Sequence, residues 1–141
     1  MPAATALSDW GKAHRFAGSG DRNAIGGLVY DALRRKASIG WAMESDAPRA
    51  FALGAAMPAL AMRAEEVVAA CDGENHAPAP LSDVEIRGLT RPLDDAPPHG
   101  QANVPEWLCP AFERHFGAGA VAGVEARAQR APADIRVKTL K

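Results

Sequence analysis

An apolar stripe broken by two adjacent glycines constrains this chain more than any other stretch. Between Phe16 and Lys36 the sequence runs Phe-Ala-Gly-Ser-Gly-Asp-Arg-Asn-Ala-Ile-Gly-Gly-Leu-Val-Tyr-Asp-Ala-Leu-Arg-Arg-Lys. Gly18-Ser19-Gly20 reads as a turn, because glycine tolerates backbone angles that other residues avoid. Ser19 or Asp21 is placed to cap a helix there, taking backbone N–H groups that have no intrahelical partner. Ile25, Leu28, Val29, Ala32 and Leu33 then fall at i, i+3, i+4, i+7 and i+8, one face of an α-helix. Arg34, Arg35 and Lys36 close it, where cations suit the negative end of the helix dipole. Gly26 and Gly27 each cost such a helix about 1 kcal/mol relative to alanine. The pattern therefore predicts a central helix, packed on several sides, whose glycines let another backbone pass close.

The chain has 141 residues, 48% of them hydrophobic, which suits one domain with a core of its own. A net charge of −1 provides no global field to attract nucleic acid, so any RNA contact must be a local patch. Arginine is far commoner than lysine, a bias that fits phosphate-binding forks but that a GC-rich coding sequence explains more simply. Cys71 and Cys109 form no CxxC pair, and no set of about four ligands has zinc-like spacing. The expectation is a reduced, cytoplasmic protein, with no membrane partner and no signal peptide.

Taken in order, Pro2–His14 reads as a helix with Ala3, Ala6, Leu7, Trp10 and Ala13 on its inner side and Trp10 in the core. Ile39–Met43 is a short helix or turn. Ser45-Asp46-Ala47-Pro48 opens a helix that faces Phe51, Leu53 and Met57 inward and ends at Met57-Pro58, because the residue before proline avoids helical angles. Arg63–Ala70 is a further helix, stopped by Asp72-Gly73. A loop over 73–81 precedes Ser82-Asp83-Val84-Glu85, a capping box whose helix turns Ile86 and Leu89 inward. Pro92–Asn103 reads as a loop over the surface. A helix from Val104-Pro105 carries Trp107, Leu108, Phe112 and Phe116, stops at Gly117 and is open to splitting at Pro110. A weaker helix over 119–129 and an alternating, strand-like segment over 134–140 complete the chain.

The run Arg15-Phe16-Ala17-Gly18-Ser19-Gly20-Asp21-Arg22, with Ala24-Ile25 and Leu28-Val29-Tyr30-Asp31-Ala32-Leu33-Arg34, resembles the amino-terminal NusB-like domain of RsmB/Sun-type RNA methyltransferases. Gly73–Ser82, Val104-Pro105-Glu106-Trp107-Leu108, Phe116-Gly117 and Ile135–Lys141 are similar to later segments of that region, in the same order. The resemblance implies an all-α, NusB-like helical bundle over residues 1–130 and a short extended tail. In that family residues 131–141 correspond to the linker and first strand of a catalytic domain. The chain is thus expected to stop short of that domain, and to lack the helix with which the family domain usually begins, leaving an apolar groove exposed. By the same resemblance the parent enzyme makes 5-methylcytosine in ribosomal RNA from S-adenosylmethionine. The implied partners are RNA and the catalytic methyltransferase domain.

No catalytic role carries over. The family's two working cysteines lie in Pro-Cys or Thr-Cys motifs, and its cofactor loop is of the Asp-x-Cys-x-Ala-Pro-Gly-Gly-Lys type. Neither motif occurs here, and Cys71 and Cys109 read as small apolar residues. Gly18-Ser19-Gly20 lacks the strand context of a phosphate-binding fingerprint. The four histidines are scattered without the i, i+4 spacing of a metal-binding helix, and Asp94-Asp95 reads as a solvated turn.

Arg15, Arg22, Arg34, Arg35 and Lys36 remain as RNA-binding candidates. Arg15 and Arg22 flank the turn; the other three lie about 18–20 Å away at the far helix end, at about 1.5 Å per residue. The bland alternative is helix-end neutralisation and pairing with Asp9, Asp21 or Asp31. The expected function is RNA binding and positioning for a methyltransferase, with no catalytic, cofactor-binding or metal site in the chain itself. A freestanding antitermination-type RNA-binding module and a protein-interaction domain stand as alternatives.

Overall fold

The computed structural model describes residues 1–119, and over these the fold is all-α. The expected helix over 119–129, the strand-like segment over 134–140 and the domain boundary at 130 lie beyond the described residues. The helices are α1 (Ala3–Ala13), α2 (Ser19–Arg34), α3 (Lys36–Ala42), α4 (Pro48–Leu60), α5 (Ala64–Ala69), α6 (Asp83–Thr90), α7 (Pro98–Gln101) and α8 (Cys109–Phe116).

Helix α2 forms where the periodicity places it, but its start is capped differently. Gly18 is the N-cap, and the Asp21 carboxylate reaches back to accept the Gly18 N–H at 2.9 Å. Helix α2 packs on α1, α3 and α4, while α4 itself meets α2, α3, α5 and α6. The hub is therefore α4. Its composition explains why: Ala50, Ala55 and Ala56 keep the helix thin enough for neighbours on several sides, and all three are buried.

Close backbone approach also occurs away from where the glycine pair suggested. A Cβ on Gly26 would meet nothing within 4 Å. A Cβ on Gly54 of α4 would lie 2.5 Å from Ile39 Cγ2, and one on Gly88 of α6 would lie 2.7 Å from Met43 Sδ and 2.9 Å from the Ala42 carbonyl oxygen. These two glycines let α3 sit against both α4 and α6. Around that junction lies the main core: Ile39, Met43, Leu53, Val67, Cys71 and Leu89 with the α4 alanines.

Helix α4 starts with Pro48 at its first position, as read, but runs through Pro58 to Leu60. Pro58 lies in the last turn, where the bond lost is only that to the Gly54 carbonyl. The true stop is Ala61, left-handed at φ 54°, with the Met62 N–H closing on the Met57 carbonyl at 3.1 Å. Helix α6 follows its capping box: Ser82 Oγ accepts the Glu85 N–H at 3.3 Å and Glu85 returns the bond to the Ser82 N–H at 2.8 Å. Leu89 is buried as expected, whereas Ile86 is exposed.

Residues 92–103 are not a surface loop. A 3₁₀ turn at Leu93–Asp95 and the short α7 fold back on α3, burying Ala96, Gly100, Ala102 and Val104. Asn103 fixes the segment in place: its side-chain oxygen accepts the Ser38 N–H in the first turn of α3, at 3.0 Å. Prolines here set helix starts rather than breaks, since Pro97 and Pro98 occupy the N-cap and first position of α7. Pro110 does divide the next helical segment, into a 3₁₀ turn at Glu106–Leu108 and α8, and Gly117 ends α8 at φ 55°.

Candidate functional site

The five cations of the sequence pattern lie along α2 and its junction with α3, and the structure assigns them different surroundings. Arg15 is exposed in the turn between α1 and α2. Arg22 donates from Nε to the Ala17 carbonyl at 2.9 Å. Its side chain lies over Gly11, the buried residue of α1, at 3.6 Å from where a Cβ would be. Arg22 thus ties α1 and the turn to α2, which leaves its guanidinium tips rather than Nε for any further contact.

At the other end, the cationic cluster does not simply terminate one helix. Helix α2 ends at Arg34, Arg35 is the junction, and Lys36 opens α3. Arg34 forms an ion pair with the buried Asp31 one turn back. Arg35 turns into a cavity of about 420 Å³ lined by α3, α4 and α6. Lys36 lies at the edge of an apolar groove of about 350 Å³ between α2 and α4, with Leu28, Leu33 and Phe51. Because the chain leaves helical geometry at Arg35, these side chains serve three directions.

Two guanidinium nitrogens here, Nε of Arg34 and Nε of Arg35, are closed off from solvent without a hydrogen-bond partner. An unmet buried donor costs about 1–3 kcal/mol. For Arg34 the ion pair with Asp31 offsets that cost; for Arg35 no carboxylate lines the cavity that it enters.

Arg91 is a cation that the sequence reading passed over. It follows α6, stacks on the Trp41 ring at 3.9 Å and pairs with Glu44 at 2.7 Å. It lines the same cavity as Arg35. No local signal announces this, because Arg91 and Trp41 meet only through the α3–α6 contact.

Elsewhere the charged groups hold the fold. Arg49 on α4 donates to Glu85 at 2.7 Å and to the carbonyls of Ala79 and Pro80, fastening the 73–81 loop and the start of α6 to α4. Glu85 raises the Arg49 guanidinium above its already high value. In return Arg49, and after it the Ser82 N–H, hold the Glu85 carboxyl below the usual range. Burial, reinforced by Glu113 and Glu106, pushes the Cys109 thiol up, away from the thiolate that a nucleophile needs. Cys71 is in the core. Among the described residues no three His, Cys, Asp or Glu side chains are grouped to hold a metal ion, and no helix is long and apolar enough to cross a membrane.

Large apolar side chains face solvent around this framework. Phe16 is 85% exposed, Trp107 77%, Phe116 56% and Leu33 53%. Trp10, expected in the core, is only half-buried and stacks on His14 with ring centroids 4.7 Å apart. No family model matches the chain, and no match emerges among curated proteins or solved structures.

Proposed function

We propose that this chain is an RNA-positioning domain of the NusB-like kind, the amino-terminal part of an RsmB/Sun-type methyltransferase acting on cytosine in ribosomal RNA. What supports it most is the way the stretch that carries the resemblance, Arg15–Arg34, folds as one unit: a turn locked by Arg22 and Asp21, leading into the long helix α2. Arg15 stays exposed at one end and Lys36 just beyond the other, available for phosphate contacts that position an RNA without reading its sequence. In this reading S-adenosylmethionine and the base are handled by a catalytic domain, and the chain holds the RNA for it.

The test is binding of a structured ribosomal RNA fragment, followed by fluorescence anisotropy, with helix content checked by circular dichroism. Exchange of the exposed Arg15 and Lys36 together for glutamine should weaken binding by about tenfold or more at unchanged helicity, since each lost phosphate contact removes a share of the electrostatic attraction. Unaltered affinity would remove these residues from the interface.

A protein-docking role is the second reading. It is favoured by one specific observation: Leu33, Phe16, Trp107 and Phe116 are exposed apolar side chains, of the type that interface cores use. Salt separates the two, because RNA affinity falls steeply with ionic strength while an apolar interface resists it.

A further inference from the structure

We propose that the cavity between α3, α4 and α6 binds a small anionic amphiphile, a free aliphatic carboxylate. The cavity has about 420 Å³, within the range of about 300–1,000 Å³ usual for small-molecule sites. Its walls are chiefly apolar, with Met43, Met57, Met62 and Leu89 among them. Methionine is unbranched and adaptable, and such walls accept a flexible chain without a fixed shape. The charged residues that line the cavity are Arg35 and Arg91, and no aspartate or glutamate is among its lining residues. Arg91 is already committed to Glu44 and Trp41. Arg35 lines the cavity with no carboxylate among the lining residues, and with its Nε closed off from solvent its terminal nitrogens are the ones left for a ligand. A carboxylate is the group that matches a guanidinium fork in charge and geometry. With its head on Arg35, its chain would lie along the methionines. An RNA base fits less well, because bases are held largely by stacking on aromatic rings or guanidinium planes, while no aromatic ring is among the lining residues and the Arg91 plane is already stacked on Trp41.

This inference goes beyond RNA positioning and shares only Arg35 with it. The experiment titrates decanoate, below its micellar concentration, into the whole chain carrying methyl-labelled methionine, against decanol and acetate as chain-only and head-only probes. Expected is saturable, one-to-one binding of decanoate that shifts the Met57 and Met62 methyl signals, with decanol and acetate weaker by about tenfold or more. Arg35→Gln should weaken decanoate by about tenfold and leave decanol unchanged. Met57→Trp, which fills the cavity, should abolish decanoate binding while RNA affinity stays as in the parent chain, so the two proposals fail separately. Vesicles of phosphatidylglycerol distinguish a free acid from a bilayer lipid. Absence of saturable decanoate binding, equal affinity for decanol, an Arg35→Gln variant that binds as the parent does, or binding to vesicles alone would overturn the inference.

Discussion

The α3–α4–α6 junction and the α1–α2 pair are both helix contacts, yet they are built in opposite ways. At the junction, glycines remove side chains so that helices meet at backbone distance, and Met43 is left only 1% exposed. In the α1–α2 pair, a long polar side chain, Arg22, bridges over Gly11, the one buried residue of α1, and the aromatic residue Trp10 stays half in water. Where Gly54 and Gly88 meet α3 the contact is intolerant of added atoms, although an open cavity runs beside it. A bridge made by a flexible arginine has room to adjust. The difference teaches that α1 is held as an attachment, whereas the junction decides whether the fold exists.

Substitutions can break or sharpen that contrast. The largest effect is expected from Met43→Ala, which empties the centre of the junction and should lower unfolding stability by about 2–5 kcal/mol, read from denaturant midpoints. Gly88→Ala should follow at about 1–3 kcal/mol, since the new methyl meets both Met43 and the Ala42 carbonyl and the backbone cannot rotate away. Glu85→Gln removes the charge from the Arg49 pair while its amide oxygen still completes the capping box, for about 1 kcal/mol. Because the Glu85 carboxyl is held below its usual range, its contribution is fully present above the ordinary glutamate pKa and is lost as pH falls through the lower folded value. The parent chain should therefore lose stability over that acidic window and the glutamine variant should lose less. Smallest and opposite in sign is Gly26→Ala, in open space on α2, which should stabilise by about 0.4–1 kcal/mol. If Gly26→Ala destabilised as much as Gly88→Ala, the contrast between close and open packing would collapse.

Local signals were legible in the sequence and non-local ones were not. The Ser82–Glu85 capping box, the Pro48 start and the Gly117 stop each act within a few residues, and each occurs where it was read. Ile86 has the right period for burial, but α6 buries Gly88 and Leu89 and leaves it outside, because the close partner of α6 is the Met43 backbone. The segment 92–103 has the composition of a loop, yet Asn103 and Ser38, distant in sequence, draw it onto α3. Gly26 and Gly27 signalled close approach, but nothing crowds Gly26, and the tight contacts found are at Gly54 and Gly88. The candidate cations were visible as a cluster; that Arg34, Arg35 and Lys36 face Asp31, a cavity and a groove follows only from how α2 and α3 join. Arg91 gave no signal at all.

Salt dependence of RNA binding tests the functional claim most directly. With a structured ribosomal RNA fragment, a plot of log affinity against log salt should have a slope of about −2 to −4, as counterion release predicts for a few phosphate contacts, and neutralising the exposed Arg15 and Lys36 should flatten it. A slope near zero, or one that the neutralised variant shares with the parent chain, would contradict the account.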